Sequence, residues 1–309
     1  MHQNLKLLSY NSGLTLHGCP RKFQLYRMLK KQLSEGIDRR DIHTDFGGLV
    51  GYGIQAILQE IPASRVILQM LSKWQRDLEE DTERKQGKTF FHAVNAVEKF
   101  PTFALEEFGD YKLVNINGRN AIELGFLIDC GAGFYYRGYL DALLYSESSR
   151  KFAVWEGKTT ASRANEAMWA NSNQGLSYSV VVDKIAKLME LPLTSSYDVI
   201  YGVYKTTERS WEGFRVSKNY SEKAEWIQSL QLDIATLQMY NDANFYPKHG
   251  EHCYSFFRQC EYYGICGMSD QYLIGDTEKI EEIRELQEDY DFHFTLEELI
   301  DTQLEKLEI

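Results

Sequence analysis

Three residues near the middle of the chain have the types and the spacing to bind a hard cation and act on a phosphate. Asp141 ends the run Gly138-Tyr-Leu-Asp141, and fifteen residues later Phe152-Ala-Val-Trp-Glu156-Gly-Lys158-Thr-Thr160 carries a glutamate and a lysine two apart. If that second run is a strand, Glu156 and Lys158 project from the same face, because side chains alternate along a strand. A carboxylate on the neighbouring strand would then converge on the same point. Hard divalent ions such as Mg²⁺ prefer such oxygen ligands. A lysine beside them orients or deprotonates a water, or neutralises charge building on a phosphate. Taken alone, E-x-K says little, since a surface ladder on an edge strand carries the same two residues.

The elements that must position this trio can be read from the surrounding pattern. Leu113 to Ile116, Ala121 to Ile128, Phe134 to Tyr145 and Phe152 to Lys158 are short runs rich in β-branched and aromatic residues. Asn117-Gly118 and the Gly131–Gly133 stretch separate the first three as hairpin turns would. A helical run follows over Ala164 to Leu188, then a strand pair at Tyr197 to Tyr204 and Trp211 to Val216. A long helix comes next, with Trp226, Leu230, Ile234 and Leu237 on one face. Upstream, Pro20 to Leu33 reads as a basic helix start, and charged helices fill Ser64 to Phe108, interrupted near Gln86-Gly87. Phe46 to Glu60 is a glycine-rich apolar helix, and glycines there cost helix stability unless close packing or close approach of a ligand requires them. Helices, a meander of strands, a helix, strands and a helix imply an α/β or α+β layer around a mixed central sheet.

On the helical run after the E-x-K strand, Gln174-Gly-Leu-Ser-Tyr178 puts Gln174 and Tyr178 four apart, on one helix face. At the other end of the chain, Ser12-Gly-Leu-Thr-Leu-His-Gly-Cys19-Pro-Arg-Lys-Phe23 joins a serine-bearing start to C-P-x-x-F. Together these motifs resemble the RecB-like branch of the PD-(D/E)XK nucleases, whose pattern is G-x-x-D, then E-x-K, then Q-x-x-x-Y. Scattered matches run from residue 9 to 266. The resemblance implies a restriction-endonuclease-like core and a site in which Asp141, Glu156 and the carbonyl of Gly157 hold Mg²⁺ or Mn²⁺. It implies that Lys158 assists the attacking water, and that Gln174 and Tyr178 position DNA or the active-site shell. One position departs from the pattern. The family's early G-x-x-x-H motif falls on Gly47-Gly-Leu-Val-Gly51, with glycine where the histidine would be, and Gln55, one turn on, is the substitute expected to reach the metal through its carbonyl. Glu123 is a further acidic residue on the preceding strand, with a plain solvent-facing glutamate as the simpler reading.

Three of five cysteines, Cys253, Cys260 and Cys266, fall within fourteen residues. Their gaps fit a zinc knuckle poorly, because paired zinc ligands are usually two to four residues apart. Three buried thiols under an aromatic cap would also account for them. RecB-like nucleases imply a third reading, a four-iron four-sulfur cluster with Cys19 as the fourth ligand. Cys130 is most simply a core thiol.

A net charge of −11 is unfavourable for a protein that handles nucleic acid, but its distribution changes the picture. Residues 267–309 hold fourteen acidic and three basic side chains, and therefore the whole of that charge; residues 1–266 are balanced, with 31 of each sign. A neutral body can carry a local basic groove, and Arg21, Lys22, Arg27, Lys30 and Lys31 are the candidate phosphate contacts. A solvated basic helix face would look the same. With no long apolar run and no secretory leader, the expectation is a cytoplasmic protein of a bacterial cell or phage-infected host, with no membrane partner and reduced cysteines.

The domain expectation is a nuclease domain over 1–266, with a helical insertion at about 60–110 and the cysteine cluster at 253–266, followed by an acidic helical tail over 267–309. The functional expectation is a Mg²⁺- or Mn²⁺-dependent DNA exonuclease of recombination, repair or replication, with a recombination or replication protein as partner. A structure-specific endonuclease and a non-catalytic DNA-binding or assembly protein on the same fold are the competing readings.

Overall fold

A computed structural model describes residues 6–28, 42–74, 87–161, 166–191, 196–255, 258–264, 266–267 and 290–306. In chain order the elements begin with β1 (Lys6–Leu8), α1 (Tyr10–Gly18) and α2 (Pro20–Phe23), which runs into a π-helical turn at Gln24–Met28. Then come α3 (Ile42–Leu58), α4 (Ala63–Lys73) and α5 (Phe90–Phe108). Strands follow: β2 (Lys112–Leu113), β3 (Asn115–Ile116), β4 (Arg119–Asn120), β5 (Ile122–Asp129), β6 (Phe134–Ser146) and β7 (Lys151–Thr160). After them are α6 (Glu166–Ala170), α7 (Asn173–Leu188), β8 (Ser196–Lys205), β9 (Ser210–Asn219) and α8 (Tyr220–Asp242). The chain closes with β10 (Tyr254–Ser255), β11 (Arg258–Gln259), β12 (Phe292–Thr295) and α9 (Leu296–Glu305). The fold is α/β with mixed sheet pairing, as the order of patterns implied. None of the described helices is long and apolar enough to cross a membrane.

The chain forms two compact units. One comprises residues 40–124, 139–223 and 302–309. Its sheet is mixed: β6 pairs antiparallel with β7 from Ala142↔Trp155 to Ser146↔Lys151, β7 runs parallel to β8, and β8 pairs antiparallel with β9. The parallel step needs a crossover, and α6 and α7 lie in the chain between β7 and β8. Below the sheet, α3, α4 and α5 supply Phe46, Val50, Ile54, Met70, Val97 and Phe100 to a core that also contains Trp155, Ile200 and Tyr204. The glycines of α3 divide into two kinds. At Gly53 a Cβ would fall 2.4 Å from Val97, so bare backbone is needed there for helix packing, whereas Gly48 and Gly51 face open space.

The other unit comprises residues 1–39, 125–138 and 224–301. Within it β1 lies parallel to Phe134–Tyr136 of β6, and β12 lies parallel to Phe126–Asp129 of β5. Gly138, the glycine of G-x-x-D, has a packing reason: a Cβ there would sit 2.5 Å from the ring of Phe126. In the segment expected to be an acidic helical tail, residues 290–306 are described, and they open with the strand β12 before the helix α9.

Candidate active site

The register of the sheet brings the acidic residues together. With Ala142 opposite Trp155, the next rung sets Asp141 opposite Glu156, and directly opposed residues of an antiparallel pair share a face. Lys158, two residues beyond Glu156, shares it too. The side chains meet as this predicts. Lys158 Nζ donates to Glu156 Oε1 at 2.5 Å, and Asp141 Oδ2 accepts from the backbone N–H of Gly157 at 2.8 Å. A Cβ at position 157 would lie 3.7 Å from the Asp141 carboxylate, an ordinary contact, so the approach does not depend on glycine there.

The helix after β7 closes the arrangement. Ser172 caps α7, its side chain accepting from the N–H of Gln174, so Gln174 lies in the first turn of the helix. Gln174 uses both ends of its amide. Its Oε1 accepts from Lys158 Nζ at 3.2 Å, and its Nε2 donates to Glu156 Oε1 at 2.9 Å and to the Tyr178 hydroxyl at 2.7 Å. The i,i+4 pair thus forms one hydrogen-bonded chain that holds the E-x-K residues in place.

Glu156 is 3% exposed, and its second oxygen, Oε2, is buried without a hydrogen-bond partner. Such a group is costly unless something pairs with it. Burial, first, and the neighbouring Glu156 carboxylate push the Asp141 carboxyl well above the usual carboxylate range, against the Gly157 N–H and the Lys158 charge that pull it down. Two crowded carboxyls and an unpaired buried oxygen are what a hard dication relieves, and all the donors are oxygen. The residues present therefore fit Mg²⁺ or Mn²⁺. A small, partly open cleft lies against Asp141 and Gly157 and is otherwise lined by Gly51, Ile54, Gln55, Leu58 and Trp155.

Gln55 borders this cleft, but its amide is engaged: Nε2 donates to Glu123. Glu123 is exposed, as its simpler reading as a solvent-facing glutamate implies; no spacing rule links it to Gln55, 68 positions earlier. The only local signal was an acid inside the apolar run Ala121 to Ile128. Among the described residues, no three His, Cys, Asp or Glu side chains are grouped closely enough to hold one ion by themselves.

The other expected residues are placed as follows. Arg21 is buried, with its guanidinium hydrogen-bonded to Gln24, and Lys22 pairs with Glu261 at 3.3 Å. The Arg27 side chain and residues Lys30 and Lys31 lie outside the described residues. Cys19, Cys253, Cys260 and Cys266 are free thiols in the second unit. Cys266 feels the charges of Cys19 and Cys253, but burial dominates and raises its thiol above the ordinary value. The iron–sulfur expectation therefore finds four thiols in one unit but, among the described residues, no assembled ligand group. Cys130, expected as a core thiol, is half-buried, and desolvation pushes its thiol up to about 12.

A mixed sheet that carries Asp141, Glu156 and Lys158 on neighbouring strands, with Gln174 and Tyr178 on a following helix, is the arrangement of the PD-(D/E)XK fold. The family model of the PD-(D/E)XK nuclease superfamily matches residues 8–267, and the chain belongs to that superfamily. Among solved structures, "Putative exonuclease" from Eubacterium rectale is similar at 9% identity and a TM-score of 0.47, over 92% of this chain and 93% of that one. A second, SSO0001, is similar at 12% identity and a TM-score of 0.30, over 76% of this chain and 79% of that one. No curated protein matches.

Proposed function

We propose that this chain is a Mg²⁺- or Mn²⁺-dependent deoxyribonuclease of the RecB-like branch, an exonuclease that hydrolyses DNA phosphodiesters in recombination, repair or replication. The observation that carries the reading is the pair of hydrogen-bonded groups adjoining along β7, Asp141 with the Gly157 N–H beside a cleft, and Glu156 with Lys158, Gln174 and Tyr178. Asp141 and Glu156, with the carbonyl of Gly157, are the residues that would hold the cation. When bound, such an ion polarises the scissile phosphate and stabilises the departing oxygen.

The chain's own groups do the rest. Lys158, held between Glu156 and Gln174, is positioned to orient the attacking water and to offset negative charge growing on the phosphate. Gln174 fixes the lysine and the glutamate relative to each other, which matters because small misplacements of reacting groups cost large factors in rate. Tyr178, 5% exposed, holds the far hydrogen of the Gln174 amide and belongs to the supporting shell. Lys22 remains a candidate phosphate contact from the basic segment.

The test is digestion of end-labelled linear, nicked and covalently closed circular DNA with Mg²⁺ or Mn²⁺. Linear substrates are expected to be shortened from their ends and closed circles left intact, with Glu156→Ala and Lys158→Ala each abolishing the activity. Wild-type inactivity on every DNA and RNA substrate would end the enzyme reading. A four-iron four-sulfur cluster on Cys19, Cys253, Cys260 and Cys266 stays within the proposal on the strength of four free thiols in one unit. An anaerobic preparation should then be brown and contain iron; a colourless, iron-free one removes the cluster and leaves the nuclease reading intact.

A further inference from the structure

Glu123 takes part in the site in a way the motifs do not assign. Its carboxylate accepts from Gln55 Nε2, and Gln55 borders the same cleft as Asp141 and Gly157. Its charge is felt at Asp141, and it in turn feels the charge of Glu156. Although Glu123 is exposed, partial desolvation raises its carboxyl above the ordinary range, while the Gln55 hydrogen bond opposes the rise. Independently, Glu156 Oε2 is buried and unpartnered, which marks this spot as one that awaits a positively charged ligand. The backbone at Glu123 has φ +50° within β5, a conformation that a glutamate seldom adopts and that must be held by its surroundings.

The position of Gly51 explains why another acid would be needed. Glycine there leaves nothing within 4 Å of a Cβ position, so α3 presents no side chain to an ion at that point. The next turn presents Gln55, whose amide is turned to Glu123. Glu123 stands outside any group of three acids close enough to grip one ion directly. Mg²⁺, however, keeps several water ligands and is commonly held through only one or two carboxylates. A carboxylate beside that hydration shell accepts hydrogen bonds from it and adds to the charge that offsets the ion.

We propose that Glu123, presented by Gln55, is a third acidic residue of the cation site, acting on the hydration shell of the ion rather than as a direct ligand. Gln55 is then a positioning residue. The inference rests on the metal-dependent reading above and extends it to two residues of this chain.

The experiment is calorimetric titration of the full chain with Mn²⁺, without DNA, for wild type, Asp141→Asn, Glu123→Gln, Glu123→Asn and Gln55→Leu. Asn tolerates a positive φ better than most residues, so Glu123→Asn keeps the backbone when Glu123→Gln does not fold. Circular dichroism and the unfolding midpoint in chelator establish the fold of each variant. Loss of an outer-shell partner typically weakens metal binding by roughly 10–100-fold, and that loss is expected for both Glu123 variants. Gln55→Leu should weaken binding by less, and Asp141→Asn should abolish it. Folded Glu123 variants that bind Mn²⁺ as wild type does, while Asp141→Asn binds none, would overturn this inference and leave the nuclease reading standing. A wild type that binds no Mn²⁺ overturns both.

Discussion

The indole of Trp155 lies against the bare backbone of Gly202, so closely that a Cβ at position 202 would fall 1.7 Å from the ring. Trp155 immediately precedes Glu156, and Gly202 pairs with Gly157 across β7 and β8. The aromatic packing of Phe100, Phe103, Phe108 and Trp211 around Trp155 therefore fixes where the strand carrying Glu156 and Lys158 sits. Gly202→Ala should destabilise the protein by about 1–3 kcal/mol or more, the range for overpacking a filled core. Denaturant unfolding reads the loss, and cation affinity should fall with it because β7 must shift. An unchanged midpoint would show that the indole can move freely.

The open space at Gly51 leads to a gain-of-function expectation. Gly51→His supplies the imidazole that the family carries at this position, next to a cleft containing Asp141. The variant should fold, since no atom obstructs the new Cβ, and it should bind Mn²⁺ more tightly than wild type. Gly53→Ala is the contrast: its Cβ would meet Val97 at 2.4 Å and the thioether of Met70 at 2.9 Å, so it should lose stability. Equal unfolding midpoints for the two variants would contradict the division of the α3 glycines.

Gln174 is the joint between strand and helix. Gln174→Ala removes hydrogen bonds to Lys158, Glu156 and Tyr178 at once. Turnover should fall about a hundredfold, the scale expected when reacting groups lose alignment, with little change in the affinity for DNA. A variant with full turnover would mean that Lys158 and Glu156 are held without it.

Away from the site, Asp183 on α7 accepts from Lys223 Nζ at 2.8 Å, from Lys306 Nζ at 2.5 Å and from Gln303 Nε2 at 2.8 Å, all in the interior. Asp183→Ala leaves two buried ammonium groups without their acid. Removing one partner from a buried ion pair typically costs about 3–5 kcal/mol, and the unfolding free energy should drop on that scale. Lys223→Met with Lys306→Met in the Asp183→Ala background should recover much of the loss. Failure to recover it would place the cost in packing rather than in charge.

His92 gives a pH dependence with a definite sign. Burial, with the Arg209 guanidinium second, lowers its pKa. Nε2 accepts from Arg209 Nε at 3.1 Å, and Nδ1 lies 2.7 Å from the Thr89 hydroxyl that caps α5. The unfolded chain holds this proton more readily than the folded one, so stability rises with pH through the histidine range and falls on acidification below about 6.5. Wild type should lose more in its unfolding midpoint than His92→Gln between neutral and mildly acidic buffer. Parallel pH profiles would refute the assignment.

The sequence by itself determined the parts of the site that follow from local periodicity. Glu156 and Lys158 share a face because a strand repeats every two residues, and Gln174 and Tyr178 share one because a helix repeats at about 3.6. The hairpin turns around β5 and β6 and the apolar runs of β7, β8 and β9 were legible for the same reason. Only the tertiary structure decided which distant segments meet. The parallel step between β7 and β8, the strand β12 within the acidic tail, the Gln55–Glu123 contact, the burial of Arg21 and the separate roles of Gly51 and Gly53 depend on packing between residues far apart in the chain. Spacing along a sequence carries the geometry of one element; it says nothing about the register of another element laid against it.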